Sequence, residues 1–256
     1  MGLQSNCKRT DWVWNSESKD INVNDRQLHA VLFDMDGTLV NTLPDIAAAI
    51  SEALAEMRLQ PLAAERIGVF IGKGPRALAM RVLDEQPSLD AAARLALVDT
   101  LIAGYVKHYE PRIGTAATTY PGVRDALVSL RGQGLKLAVV TNALQHLAER
   151  VLARFDLLDQ FALVLGGDRV ARGKPDAGPL LEACRVLGVM PSTALMVGDS
   201  ENDVIAARAA GCPVIVVPYG YNAGQPASSL GCDIVDNFTL LPAWVADYPE
   251  SASVPA

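Results

Sequence analysis

Four aspartates stand where the chain turns from apolar to small and polar residues. Asp34 and Asp36 directly follow the run AVLF, and Asp199 and Asp203 follow ALMVG much later in the chain. A single aspartate after a strand is usually a helix cap or a turn residue; four of them at strand ends point to a shared site. If the two runs are neighbouring strands, the carboxylates converge, and like charges that close repel and raise their pKa values unless a cation intervenes. A divalent cation is the natural remedy, and oxygen donors with few imidazoles favour Mg2+ over zinc. A calcium loop of the EF-hand kind is excluded, because it needs glycine at its sixth position and Gly37 is the fourth residue from Asp34. Thr141 and Asn142 close a third apolar run, and Lys174 lies between Gly173 and Pro175; each, taken alone, reads as a turn former or a solvated charge. His29, His108 and His146 read as structural or solvated, and neither a GxSxG elbow nor a Cys-His signature offers another nucleophile.

The elements that must position these groups are legible as periodicity. Residues 30 to 33 form a short apolar run suited to a buried strand with its carboxyl end at the acids. Ile46, Ile50, Ala53, Leu54 and Met57 then recur on one stripe of a helix opened by Pro44. Further helical patterns near 62 to 70, 75 to 84 and 90 to 109, with no strand-like run between, predict an all-helical insertion over 44 to 115. From Tyr120 onward helix and strand alternate through LKLAVV, FALVL, ALMVG and PVIVV. That alternation predicts an α/β fold, a parallel sheet with helices on both faces, whose ligands bind beyond the carboxyl ends of the strands.

Composition narrows the function. The chain has 256 residues with a formal charge of −7, which argues against nucleic acid as a partner. Half the residues are hydrophobic and a fifth are charged, as in a globular protein able to bury a sizeable core. No apolar run is long enough to span a bilayer, so no membrane partner is expected. Cys7, Cys184, Cys212 and Cys232 form no CxxC pair, which sets aside a zinc site or disulfide framework. The first 26 residues lack the apolar stretch of a signal peptide and read as a poorly ordered extension in spite of Trp12 and Trp14. A cytoplasmic setting is the default expectation.

DMDGTLV, VTN, GKP and VGDSEND occur in that order at strand ends, and with them the chain, from about residue 29 to 240, resembles the haloacid dehalogenase superfamily of aspartate-dependent phosphohydrolases. The resemblance implies a Rossmann-like parallel sheet with a helical cap inserted after the first strand. The core would then be residues 27 to 43 and 116 to 245, and the cap 44 to 115. It also implies roles. Asp34 would be the nucleophile and form an aspartyl phosphate; Asp36 would act as general acid and then general base. Mg2+ would be held by the carboxylates of Asp34 and Asp199 and the backbone carbonyl of Asp36, with Asp203 completing the metal site and orienting Lys174. Thr141 and Asn142 would serve the phosphoryl oxygens and Lys174 would offset charge, since phosphoryl transfer is mostly positioning and electrostatics. Dehalogenases of the superfamily lack the second aspartate, so Asp36 favours phosphate chemistry.

Within the superfamily, YGYN at Tyr219 to Asn222 and the glycine-rich cap segment IGKGPRAL resemble the phosphoglycolate phosphatases. Lys73, Gly74 and Arg76 would then form a cationic cap loop that neutralises a substrate carboxylate. A Walker phosphate loop is excluded there, because no Ser or Thr follows Lys73. Three departures stand out: Asn41 replaces the usual Asp after DGTLV, Ala143 replaces a frequent Lys after the TN pair, and Ala177 replaces the second proline of KPxP. The expectation is a monomeric or homodimeric hydrolase of a small phosphorylated metabolite, 2-phosphoglycolate leading. A sugar phosphomutase resembling β-phosphoglucomutase and a sugar-phosphate phosphatase are the near alternatives, and a noncatalytic phosphoacceptor module is the alternative of another class.

Overall fold

A computed structural model describes residues 27–248; the reading of residues 1 to 26 lies outside the described residues. The described residues open with strand β1 (Ala30–Phe33) and a two-residue strand β2 (Val40–Asn41). Four helices follow, α1 (Leu43–Glu56), α2 (Ala64–Gly68), α3 (Gly74–Asp84) and α4 (Ala91–Tyr109). After β3 (Thr118–Thr119) come α5 (Val123–Gly132), β4 (Lys136–Val140), α6 (Gln145–Arg154) and β5 (Leu163–Leu165). The remainder is α7 (Gly178–Leu187), β6 (Ala194–Gly198), α8 (Glu201–Ala210), β7 (Val214–Val216), β8 (Asp233–Ile234) and α9 (Leu241–Ala246).

The main sheet is parallel, in the order β5-β4-β1-β6-β7-β8, with β1 at its centre. Phe33 lies opposite Val139 on one side and Val197 on the other. The carboxyl ends of β1, β4 and β6 are therefore level, and Asp34, Thr141 and Asp199 emerge together at one edge. Side chains alternate across this sheet as the pleat requires. Val31, Phe33, Leu137, Val139, Leu195 and Val197 join a core with α5 and α6 on one face, while Ala30, Leu32, Ala138, Val140 and Met196 pack on α7 and α8 on the other. Because both faces are covered, β1 and β6 read as unbroken apolar runs rather than alternating ones.

The insertion forms a helical cap. Gly104 of α4 sits so close to α1 that a Cβ there would come within 3.0 Å of the Ala53 Cβ, and Ile50, Leu54 and Leu101 fill the seam between the two helices. The chain leaves and re-enters the core through β2 and β3, which pair antiparallel, Val40 with Thr119 and Asn41 with Thr118. Asp45, in the first turn of α1, locks the return path. Its buried carboxylate accepts hydrogen bonds from the Gly114 N–H at 2.8 Å and from the Thr115 hydroxyl and the Ala116 N–H, both at 2.9 Å. The helix expected near 62 to 70 is shorter, since the chain turns out of α2 into Gly72, whose φ of +106° no helix admits. None of the described helices is long and apolar enough to cross a membrane.

Candidate active site

The tight loop after β1 carries two of the acids. Asp34 is 5% exposed. Its Oδ1 accepts from the Met35 N–H at 2.7 Å and lies 3.0 Å from Lys174 Nζ; no other hydrogen bond to Asp34 is formed among the described residues, which leaves Oδ2 uncommitted. Asp36 is half-buried at the cavity wall and accepts the Thr42 hydroxyl at 2.6 Å. Gly37 follows at a φ of +86°, where a Cβ would stand 2.5 Å from Asp199 Oδ2, so the loop can approach that carboxylate only with glycine there.

Asp199 and Asp203 arrive from β6 and the start of α8. Asp199 Oδ1 accepts the Thr38 hydroxyl at 2.7 Å, and its Oδ2 accepts the Tyr221 N–H at 2.6 Å. Asp203 has no exposed surface. It closes a capping box with Ser200, whose N–H and hydroxyl both donate to Oδ2, at 3.1 and 2.8 Å. Its Oδ1 accepts from Lys174 at 2.7 Å. Lys174 thus lies between Asp34 and Asp203, and its side chain is 1% exposed.

Burial dominates the electrostatics. Loss of water, opposed by Lys174, pushes the Asp34 carboxyl up to about 7. Burial, then repulsion from Asp203 and Asp34, holds Asp199 well above the ordinary carboxylate range. Burial raises Asp36 too, against the Thr42 hydrogen bond. For Lys174 burial acts downward, but Asp203 and Asp34 outweigh it and the ammonium is held above its usual value. One cation therefore faces four acids. Oxygens of Asp34, Asp199 and Asp203 lie within 4.8 Å of one another, and Asp203 is already engaged by its capping box and Lys174. A hard divalent cation fits this all-oxygen, negatively overcharged set: Asp34 Oδ2 is uncommitted, and the carboxylate oxygens of Asp199 and Asp203, though each accepts hydrogen bonds, keep further lone pairs.

That deficit has a measurable consequence. Carboxylates whose folded pKa is raised bind more protons in the folded than in the unfolded state, so metal-free protein should lose stability as pH climbs from about 4, the ordinary Asp value, toward the raised one. A bound cation offsets the loss. Millimolar Mg2+ is expected to raise the melting temperature more at about pH 8 than at about pH 5, where protons compete for the same oxygens. Thermal scans at both pH values check this, and an equal or absent shift counts against a metal site.

Above the acids the cap closes a small cavity of about 40 Å³, bounded by Asp34, Asp36 and Thr141 from the core and by Ile46, Leu78 and Tyr105 from the cap. Gly74 lies on its wall, and Lys73 and Arg76 border an adjoining, outer cavity of about 320 Å³ that shares Gly74, Pro75, Asn142 and Leu144 with it. The Arg76 guanidinium pairs there with Asp99 at 3.0 Å. The Thr141 hydroxyl accepts from the Ala143 N–H at 3.1 Å. The Asn142 side chain ties the cap loop to the core. Its side-chain amide donates to two carbonyls, those of Gly72 in the cap and Lys174 in the core, both at 2.8 Å. Asn202 donates to the same Gly72 carbonyl at 3.3 Å, so the core grips the cap loop from two sides. Thr38, Thr42, Ser200, Asn202 and Tyr221 are the functional neighbours that sequence reasoning missed. Thr38, Ser200, Asn202 and Tyr221 lie inside the motifs DMDGTLV, VGDSEND and YGYN, but nothing in those motifs assigns them these contacts.

A parallel sheet that gathers four acids and one lysine beneath an inserted helical cap defines a capped α/β hydrolase. The chain belongs to the haloacid dehalogenase-like hydrolases, whose family model matches residues 31–217. It is 42% identical over 208 residues to a phosphoglycolate phosphatase of Thiobacillus denitrificans, covering 81% of this chain and 91% of that one. A phosphoglycolate phosphatase of Chromobacterium violaceum is 41% identical over 84% of this chain and 95% of its own. Among solved structures, one described as a predicted phosphoglycolate phosphatase of Haemophilus somnus superposes with a TM-score of 0.79 at 32% identity, covering 84% of this chain and 96% of that one.

Proposed function

We propose that this hydrolase is a Mg2+-dependent phosphomonoesterase that works through an aspartyl phosphate, with 2-phosphoglycolate as its substrate. The observation that carries the reading is the uncommitted Oδ2 of Asp34, a residue that lines the inner cavity, with Lys174 3.0 Å from the other oxygen. Asp34 attacks phosphorus, the bond from phosphorus to the ester oxygen breaks, and Asp36, whose burial favours the protonated form, gives its proton to the departing glycolate alkoxide. Asp36 then takes a proton from a water that attacks the same phosphorus, which releases phosphate and restores the Asp34 carboxylate. Lys174 and the Thr141 hydroxyl balance and orient the phosphoryl oxygens. Asp34, Asp199 and the backbone carbonyl of Asp36 would hold Mg2+, which would supply positive charge to keep Asp34 ionised and steady the transferring group.

Cavity size supports the choice of substrate. The inner cavity is small, about 40 Å³, which favours a short ligand over a bulky one. The relatives named phosphoglycolate phosphatase add to the case. A phosphate-release panel over 2-phosphoglycolate, hexose phosphates and nucleotides is expected to give repeated turnover with Mg2+ and the highest kcat/KM for 2-phosphoglycolate. A preference for hexose phosphates overturns the substrate, and stoichiometric labelling without release leaves a phosphoacceptor module instead.

A further inference from the structure

A carboxylate-bearing substrate needs a partner at the end away from phosphorus, and the inner cavity leaves few to choose from. The cap contributes side chains of Ile46, Ile71, Pro75, Leu78 and Tyr105 to its lining, and of these only Tyr105 is polar. Lys73 and Arg76 lie on the outer cavity. Both side-chain N–H groups of Asn142 are spent on carbonyls. The Thr141 hydroxyl stands at the strand end beside the phosphoryl position. Tyr105 is 7% exposed, and among the described residues its hydroxyl makes no hydrogen bond. Its ring is held by stacking on Tyr109, with centroids 5.3 Å apart and planes 22° apart. Next to it in the chain, Gly104 brings α4 against Ala53 of α1, so the phenol is fixed from behind and open in front.

We propose that Tyr105 is the specificity-determining residue of the cap, its hydroxyl donating a hydrogen bond to the substrate carboxylate at the end remote from phosphorus. The proposal rests on the substrate reading above. The geometry suits it: Tyr105 comes from the cap and lines the same small cavity as Asp34 and Asp36 of the core, so one short ligand can meet Asp34 at its phosphoryl end and the phenol at the other. The helix α3 begins on the same wall with no side chain capping its first turn, and its positive end adds to the attraction. Burial and the nearby Asp36 push the phenol above its ordinary value, so it remains a donor at every working pH.

Tyr105→Phe tests this with two substrates that differ only in the remote group, 2-phosphoglycolate and ethyl phosphate. Wild-type protein should prefer the former. In the variant, KM for 2-phosphoglycolate is expected to rise about 10- to 100-fold, the worth of a hydrogen bond to a charged group. Both kcat values and KM for ethyl phosphate should stay put. If wild-type protein shows no preference, the substrate reading itself fails, and that is known before the variant is measured. If wild type prefers 2-phosphoglycolate and Tyr105→Phe retains the preference, the proposal alone is overturned. Equal losses on both substrates overturn it too, because a structural role would act on both. Lys73→Ala serves as the rival variant: loss of the preference there, with retention in Tyr105→Phe, assigns the carboxylate to Lys73.

Discussion

Asp34→Asn is expected to lower phosphate release by at least about 10³-fold while leaving the fold intact. The substitution is nearly isosteric, so the backbone turn after β1 and the packing of Phe33 need not change. What disappears is the anionic oxygen that would attack phosphorus. The amide keeps one oxygen able to accept the Met35 N–H, now made at 2.7 Å, but it is a poor nucleophile and a weaker metal donor. Stability should move the other way. Burial pushes wild-type Asp34 up to about 7, so in metal-free buffer its ionised form works against folding. A neutral side chain should therefore melt no lower than wild type at about pH 8, and its stability should fall less steeply as pH rises. Phosphate release and metal-free melting curves, measured on the same preparations, check both halves. Near-normal turnover in a well-folded variant would remove Asp34 from the nucleophilic role.

Why the acids could be found in the sequence, and their supports could not, follows from how each is encoded. β1 and β6 are covered on both faces, so each is a continuous apolar run that ends abruptly at its aspartate. Acids at those strand ends must converge once the strands are neighbours. The helical cap was legible for a similar reason: α1 and α4 carry long stripes at helical spacing, and no strand-like run interrupts them. The two-residue strands β2, β3 and β8 escaped, since two residues have no period to read. Partners distant in sequence escaped as well. Thr38 reaches Asp199 across 161 positions, and the Tyr221 hydroxyl lies 2.6 Å from Asn41 Oδ1 and 2.9 Å from the Leu43 N–H, tying the loop after β7 to the start of the cap. Asn41 serves that contact as an acceptor without adding another negative charge near the cluster. Lys73 and Arg76 drew attention because they are charged and flank glycines. The folded cap, which alone fixes the phase of α3, places Leu78 on the inner cavity and Lys73 and Arg76 on the outer one, with Gly74 and Pro75 lining both. Tyr105 was hidden inside an apolar stripe, where an aromatic residue looks like core.

Lys174→Met should be the most damaging substitution to stability in the site, by about 3–5 kcal/mol in metal-free protein. Methionine matches the length of the stem, so packing around the chain is largely kept and the lost quantity is charge. In wild type the ammonium lies 3.0 Å from Asp34 and 2.7 Å from Asp203, with both acids buried. Without it, Asp34, Asp36, Asp199 and Asp203 face one another with no positive side chain among them, and each must take up a proton or repel its neighbours. Lys174 is itself held above the ordinary lysine value. A cation with raised folded pKa contributes stability that persists until pH passes its ordinary value and is lost only beyond it. The variant should therefore lie below wild type across the whole neutral range and approach it only at strongly acid pH, where the carboxylates are protonated. Denaturant unfolding at about pH 5 and about pH 8 reads this, with the gap between wild type and variant widening at the higher pH. Turnover with saturating Mg2+ should stay at least about 10²-fold down, because a metal that relieves the repulsion does not replace the ammonium beside the transferring phosphoryl group. If Mg2+ restores stability and turnover together, Lys174 is only a structural counter-charge; if it restores stability alone, the ammonium acts in the chemical step.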